Sequence, residues 1–342
     1  MLSLRIRLAA GEPSPSWTPT MIQTHTQTYR SFRASSEWHQ SAPPASQSCM
    51  RRLAAPPQDL ALELPPNLLS TLPEVGSSRN RWISKWLTRW PPEPRYLVEA
   101  QSDYYVDLLC AVSVAGKLVA KAGGGEVSMS WGGEEPAYFN AQYPTQTSMD
   151  PVFTQRGVVY FASAGDSPGP IYPSTSPNVV SAGGTTLSTN ATTGNFLFEN
   201  AWQDGGGGLS IVESRPRYQD PIASLVGTQR GTPDVAADAN PYTGVWLQDS
   251  FPVTGVSPCN PGTPCWYIVG GTSVSAPMIA GIVNAADSFS ESSHQELSKI
   301  YSKPFGFSDI VLGNCGLYIG NFATRGWDFC TGWGSPKGYF GK

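Results

Sequence analysis

Charge is scarce in this 342-residue chain: only 14% of residues are charged, and 22 Lys and Arg stand against 26 Asp and Glu, for a net charge of −4. That balance leaves no basic patch of the kind counterion release at a nucleic acid requires, so no DNA or RNA partner is expected. No run approaches the roughly 18 apolar residues of a membrane span, so the chain is expected to be soluble, off the membrane and monomeric. The start, MLSLRIRLAAGEPS, carries positive charges but no apolar stretch of about 7 residues behind them, so no cleavable signal peptide is visible. Histidine is nearly absent, with only His25, His39 and His294. There are no internal repeats. What is plentiful is glycine (35), proline (31) and tryptophan (11) on a background of 40% hydrophobic residues. This mixture fits a loop-rich α/β or β protein of the exported kind, with apolar content for one large core or two modest ones.

Six cysteines allow up to three disulfides. Cys259 and Cys265 share the loop SPCNPGTPCW, and Cys315 and Cys330 flank a short carboxyl-terminal segment, so two local bridges are expected in an oxidising compartment. Cys110 falls inside a helical pattern and reads as a buried free thiol.

Composition changes near residue 96. Before it, stretches such as GEPSPSWTPT and SAPPASQS sustain no period of 2 or 3.6 and read as disordered. After it the order is regular. RYLVEA reads as a buried strand and DYYVDLLCAVSVAGKLVAKAGGG as a helix capped by Asp103, with Tyr105, Leu108, Leu109, Val112, Ala115, Leu118 and Val119 on its apolar face and a glycine run at its end. EVSMSWGG reads as a strand, the polar stretch that follows as helical to about Gln155, and GVVYFASAGD and NVVSAGGTTL as further strands. Strands alternating with helices predict a parallel sheet covered on both faces, with ligand chemistry at the strands' carboxyl ends.

The stretch YIVGGTSVSAPMIAGIVNAAD carries the most chemistry. A glycine pair leads through Gly-Thr-Ser into an apolar helix predicted from about Val274 to Ala286, with Pro277 in its first turn. Ser273 then lies at a helix amino terminus, where backbone donors favour negative charge developing on a bound carbonyl. Taken alone, a serine there is ordinarily a cap.

Its surroundings decide otherwise. GTSVSAP resembles the nucleophile segment shared by subtilisins and by the sedolisins, serine-carboxyl peptidases of acid pH. GVVYFASAGDSPGPIYPSTSPNVVSAGGTTL and RGTPDVAADANPYTG resemble sedolisin segments specifically, and the similarity runs from about residue 96 to the end. The resemblance implies an α/β fold with a subtilisin-like parallel sheet flanked by helices, incomplete at its amino-terminal end. It also implies a secreted endopeptidase that hydrolyses peptide bonds of protein substrates through a seryl acyl-enzyme. It makes Ser273 the nucleophile and Asp166 the acid that donates a hydrogen bond to the tetrahedral oxyanion. A carboxyl group donates only while protonated, which ties such chemistry to low pH. The plain alternative for Asp166 is a turn residue bonded to its own backbone. A subtilisin triad is disfavoured, because none of the three histidines stands in a suitable context.

FSDIVLGN and ATRGWDFCTGWGSP resemble the family's calcium loop. The resemblance places Ca²⁺ between the carboxylates of Asp309 and Asp328 and the carbonyls of Ile310, Gly326 and Thr324, a set of hard oxygens suited to that ion. Thr324 stands where the family pattern has glycine. Two solvated loop aspartates are the alternative. Gly207, Gly208 and Ser210 either border the substrate cleft or form a flexible linker.

A sedolisin also uses a Glu as general base and an Asp four residues on, on one helix face. RNRWISKWLTRWPPEP, where that helix is expected, holds no such pair, and Glu99 and Asp103 have the spacing but the wrong place and read as structural. Shifting the frame, so that each codon takes the third base of one codon and two of the next, permits residues 81–95 to read Leu-Asp-Leu-Glu-Val-Ala-His-Ala-Met-Ala-Pro-Gly-Ala-Lys-Ile. This resembles the family's segment. SWTPTMIQT permits a second match in the same frame. Residues 1–95 are therefore expected to be disordered or out of frame, and residues 96–342 to form a partial catalytic domain. A catalytically dead remnant, at most binding calcium, is the competing expectation.

Overall fold

The computed structural model describes residues 2–4, 98, 100, 103–135, 145–190, 192–249, 265–286, 288–316 and 321–339. Most of the segment 1–95, the strand expected at RYLVEA apart from Val98 and Ala100, and Glu99, Cys49 and Cys259 lie outside these residues.

A parallel sheet forms the centre. Its strands are β1 (Leu2–Leu4), β2 (Gly125–Met129), β4 (Val158–Ser163), β6 (Val180–Thr189) and β10 (Val235–Asp238), adjacent in that order, with β7 (Phe196–Ala201) antiparallel to β6. Short ribbons surround it: β3 (Gly133–Glu134) with β5 (Ile171–Tyr172), β8 (Gly208–Ser214) with β9 (Gln229–Thr232), and β11 (Val245–Asp249) with β12 (Cys265–Val269). Within 1–95, Leu2–Leu4 stands as the strand beside β2, Leu2 opposite Val127, where it covers a backbone edge that would otherwise be open.

The sheet separates two cores. Helix α1 (Tyr105–Lys121) covers one face, and helices α2 (Thr272–Ala285) and α3 (Ser293–Ser302) the other. The period of 2 in β4 shows the division: Val158, Tyr160 and Ala162 enter the α1 core, and Val159 and Phe161 the α2/α3 core. The predicted face of α1 is the buried one, including Leu108, Leu109, Val112, Ala115 and Val119, with Tyr105 and Leu118 partly buried at its margin. The cap is corrected. Tyr104 occupies the cap position without a side-chain bond capping the helix, Asp103 lies one residue outside, and Asp107 supplies the negative charge in the first turn. Of the helical stretch predicted to Gln155, residues 136–144 lie outside those described, and the described part is instead two 3₁₀ turns, Gln146–Ser148 and Asp150–Phe153, where Pro151 withholds a donor. Cys110 is corrected as well: it is half-buried and disulfide-bonded, to a residue outside those described. The expected Cys315–Cys330 bridge is present, with Cα atoms 5.4 Å apart.

The segment RGTPDV locks the sheet together. Arg230 and Asp234 are both fully buried, and Asp234 accepts from Arg230 Nη2 at 2.7 Å, from the Ser181 backbone N–H at 2.7 Å and from the Tyr301 hydroxyl at 2.8 Å. One carboxylate thereby joins β9, β6 and α3. Both oxygens of this carboxylate are hydrogen-bonded, which offsets the cost of burying the charge, while Arg230 Nε stays buried with no partner.

Candidate active site

Strand β12 ends in Gly270-Gly271, and α2 begins at Thr272, two residues earlier than the sequence pattern places it. Ser273 is therefore inside the first turn, and the cap position belongs to Gly271, at φ +88°. The early start moves Pro277 into the second turn, where its missing N–H leaves the carbonyl of Ser273 without its helical donor. Ser130, just beyond β2, supplies the substitute: its hydroxyl donates to the Ser273 carbonyl at 2.8 Å. The Ser273 side chain is half-buried, and no described residue bonds its hydroxyl. A second serine of the motif, Ser275, sews α2 to the sheet by donating to the Gly183 carbonyl (2.7 Å) and accepting from the Ala237 N–H (3.1 Å).

Asp166 follows β4 and is exposed. Its Oδ1 accepts from the backbone N–H of Thr272 at 2.6 Å and from the Thr272 hydroxyl at 2.7 Å, across 106 residues of sequence. The same hydroxyl accepts from the Gly165 N–H at 3.1 Å. The bond to its own turn expected of an ordinary loop aspartate is thus replaced by a link to the residue before Ser273. A Cβ on Gly271 would fall 2.4 Å from Asp166 Oδ2, so glycine is required there by both backbone conformation and space. Thr272 and Ser130 were not singled out by the sequence patterns, although both lie inside the quoted motifs.

Asp204, on the turn after β7, is a second carboxyl in this region. Burial, and then the charge of Asp166, push it above the usual carboxylate range. The turn is tied to the end of β4 by a 2.8 Å bond from the Gly206 N–H to the Gly165 carbonyl.

Gly207 and Gly208 are buried, the latter opening β8 opposite Thr232, so neither belongs to a flexible linker. Both sit at φ near +150°, and a Cβ on Gly207 would strike the Phe329 carbonyl. They line a groove with Pro168, Gly169, Pro170 and Phe329. Ser210 does not. It is fully buried and donates to Glu135 Oε1 at 2.9 Å, because the alternation of β8 turns it inward.

The carboxyl-terminal loop brings the five predicted calcium-loop residues together. Asp309 Oδ2 accepts from the Gly326 N–H and Asp328 Oδ2 from the Thr324 N–H, each at 3.0 Å, while Ile310 is buried beside Asp309. Asp328 is 5% exposed, and burial lifts its carboxyl to about 6. Gly326, at φ +84°, lets the chain turn between the two acids. Among the described residues no group of three or more His, Cys, Asp or Glu forms a metal cluster. His294 lies exposed in the first turn of α3, its ring edge-on to Tyr218 at 5.5 Å, and His25 and His39 lie outside the described residues.

No family profile matches the chain. Among curated proteins it is 32% identical over 251 residues to kumamolisin of Bacillus sp. (strain MN-32), covering 62% of this chain and 41% of that protein. It is 32% identical over 180 residues to sedolisin of Pseudomonas sp. (strain 101), covering 48% and 28%. With human tripeptidyl-peptidase 1 it shares 28% over 205 residues, 49% of this chain and 31% of that one. The chain thus spans less than half the length of these curated relatives. A solved Pseudomonas sedolisin, described as a serine-carboxyl proteinase complexed with pseudo-iodotyrostatin, superposes with a TM-score of 0.56 at 27% identity over 71% of this chain and 70% of that one. Shared sequence segments in one order, on a shared subtilisin-like α/β sheet, make this chain similar to the sedolisins over the part that aligns.

Proposed function

We propose that this chain carries the nucleophile half of an acid-acting serine-carboxyl endopeptidase. The observation that supports the reading best is the join between Asp166 and the Thr272-Ser273 helix start, which sets a carboxyl group and a serine hydroxyl on one frame. Ser273 attacks the scissile carbonyl of a peptide, and the carbonyl oxygen becomes an oxyanion. Asp166 uses Oδ1 to accept from Thr272, so the proton that steadies the oxyanion is carried on Oδ2. Collapse expels the amine and leaves an acyl-serine, which water then hydrolyses.

Ser273 also needs a base. The family pattern supplies it as a Glu oriented by an Asp, and the residues 79–94 as written contain neither at that spacing. This favours a second reading, a remnant that keeps the fold and turns over poorly, since loss of the base behind a serine costs several orders of magnitude in rate. Resequencing the source DNA across the first hundred or so codons, with assays of both frames on an acid-denatured protein at pH 3–5, separates the two. A shifted frame with Ser273-dependent cleavage supports the peptidase. A confirmed frame with no cleavage above a Ser273→Ala control leaves the remnant.

Ca²⁺ fits the Asp309/Asp328 loop. The donors are all oxygen, and a buried carboxylate there has no described cation beside it. Asp309, Asp328 and the carbonyls of Ile310, Thr324 and Gly326 would hold it. The ion would supply charge balance and order to this loop, with no part in peptide cleavage. Secretion, a peptide substrate and a monomeric state complete the proposed reading.

A further inference from the structure

Behind the cleft lie three more carboxyls, on segments far apart in sequence. Glu135 follows β3, Asp150 opens the second 3₁₀ turn, and Glu213 lies on β8. Asp150 is 8% exposed and Glu213 3%. Glu135 Oε1 accepts from Thr175 Oγ1 (2.6 Å), Ser210 Oγ (2.9 Å) and Gln146 Nε2 (2.5 Å), and its Oε2 from the Ile211 N–H (3.0 Å). Gln146 Nε2 also reaches Glu213 Oε1 at 2.9 Å, and the Tyr172 hydroxyl donates to Asp150 Oδ1 at 3.1 Å. Asp150 and Glu213 are thus buried acids of one cluster, and burial of carboxyls with no described counter-cation favours their protonated form.

Every other titratable group around the cluster is neutral or already engaged. Tyr105 from α1, Tyr172 from β5 and Tyr218 from the 217–222 turn present phenols that burial keeps protonated. Glu134 is exposed, and Arg230, which stacks 5.6 Å from the Tyr218 ring, is held by Asp234. Among the described residues no Lys, Arg or His pairs with the three acids. Burial foremost, then the charge of Asp150, lifts Glu213 to about 7, and burial lifts Asp150 as well. Independently of any titration, the buried Gln146 Oε1 has no hydrogen-bond partner. A lone acceptor among carboxyls points to a proton-bearing acid as the missing donor.

Segments that carry or bond these acids meet the site. Residues 130–135 begin at the Ser130 bond to Ser273, β5, whose Tyr172 donates to Asp150, pairs with β3 and continues from the Asp166 loop, and β8 begins at the groove glycines. We propose that the buried acids Asp150 and Glu213, with Gln146 linking Glu213 to Glu135, form an acid-operated clasp, which while protonated binds these segments into one frame and on losing its protons lets β8 and the 130–135 segment part. The identification of these segments as cleft walls rests on the peptidase reading, whereas the clasp itself is read out without turnover.

The test is site-resolved amide exchange on the full chain, at several pH values from 4.5 to 8, expressed as protection relative to the β4 amides. In the unmodified protein, protection at Ile211 and Glu213 is expected to fall at least tenfold against β4 between pH 5 and pH 8. In Glu213→Gln and Asp150→Asn, which keep the shape but cannot ionise, it is expected to stay within about twofold, while the exposed Glu291→Gln keeps the unmodified profile. Absence of a selective loss in the unmodified protein, or persistence of that loss in both variants, overturns the clasp. If the variants fail to fold, the side-chain carboxyl ¹³C titration of the unmodified protein decides. Asp150 or Glu213 titrating above pH 6 is expected, and both titrating below pH 6 overturns it.

Discussion

At the scale of single residues, the site depends on positions that touch no substrate. Gly271 is the sharpest case, since φ +88° and the 2.4 Å approach to Asp166 Oδ2 both exclude a side chain. Gly271→Ala is expected to cost roughly 1–3 kcal/mol, the usual size of a strained non-glycine backbone, and to displace Asp166. Urea unfolding together with the Asp166 carboxyl chemical shift measures both. Thr272→Val keeps the volume but removes the hydroxyl that bridges Asp166 and the Gly165 N–H. Loss of about 1–2 kcal/mol is expected, recovered by Thr272→Ser, because a buried N–H is left unpaired in one variant and not in the other. The candidate residues read from motif, Ser273 and Asp166, lie close together, since Asp166 bonds the residue before Ser273. Their shared anchor Thr272 was not legible, because its role depends on a partner 106 residues away.

At the scale of elements, proline and serine compensate across α2. Pro277 strips the Ser273 carbonyl of its helical donor and Ser130 replaces it. A double-mutant cycle tests the pairing: Ser130→Ala is expected to cost about 1 kcal/mol in the native background and near zero beside Pro277→Ala, where the restored N–H fills the same acceptor. Equal costs in both backgrounds would separate the two residues. Element identity was largely readable, since α1, β2, β4 and β6 follow clear periodicities. The 3₁₀ turns at 146–153 were missed because a polar helical period does not distinguish one turn type from another when proline intervenes.

At the scale of the molecule, five acids share one trend. Burial lifts Glu213 to about 7 and Asp238 and Asp328 to about 6, with Asp150 and Asp204 raised as well. Each binds its proton more tightly folded than unfolded, so between about pH 4 and pH 7 the folded state holds more protons and stability falls as pH rises. Their contribution is complete below about pH 4 and lost by about pH 7. The urea midpoint is therefore expected to be higher at pH 4.5 than at pH 7.5, the reverse of a protein whose carboxylates are salt-bridged. At pH 7.5, Ca²⁺ at 100 times its dissociation constant is expected to return about 2.7 kcal/mol, removable by a chelator and absent in Asp328→Asn. A midpoint unmoved by Ca²⁺ would remove the ion from the Asp309/Asp328 loop.

The sequence by itself determined the order of α1, β2, β4, β6 and α2, the buried face of α1, the parallel sheet, the Cys315–Cys330 bridge and the likeness to the sedolisins. These are local or ordered signals, carried by period, punctuation and motif. Only the tertiary structure decided that Asp166 bonds the helix start, that Ser130 serves the Ser273 carbonyl from 143 residues away, that Ser210 faces inward, and that Glu135, Asp150 and Glu213 share one buried pocket. The reason is physical: a residue's chemistry is set by which groups desolvate and bond it, and here those groups come from segments that meet only when the sheet closes around its two cores.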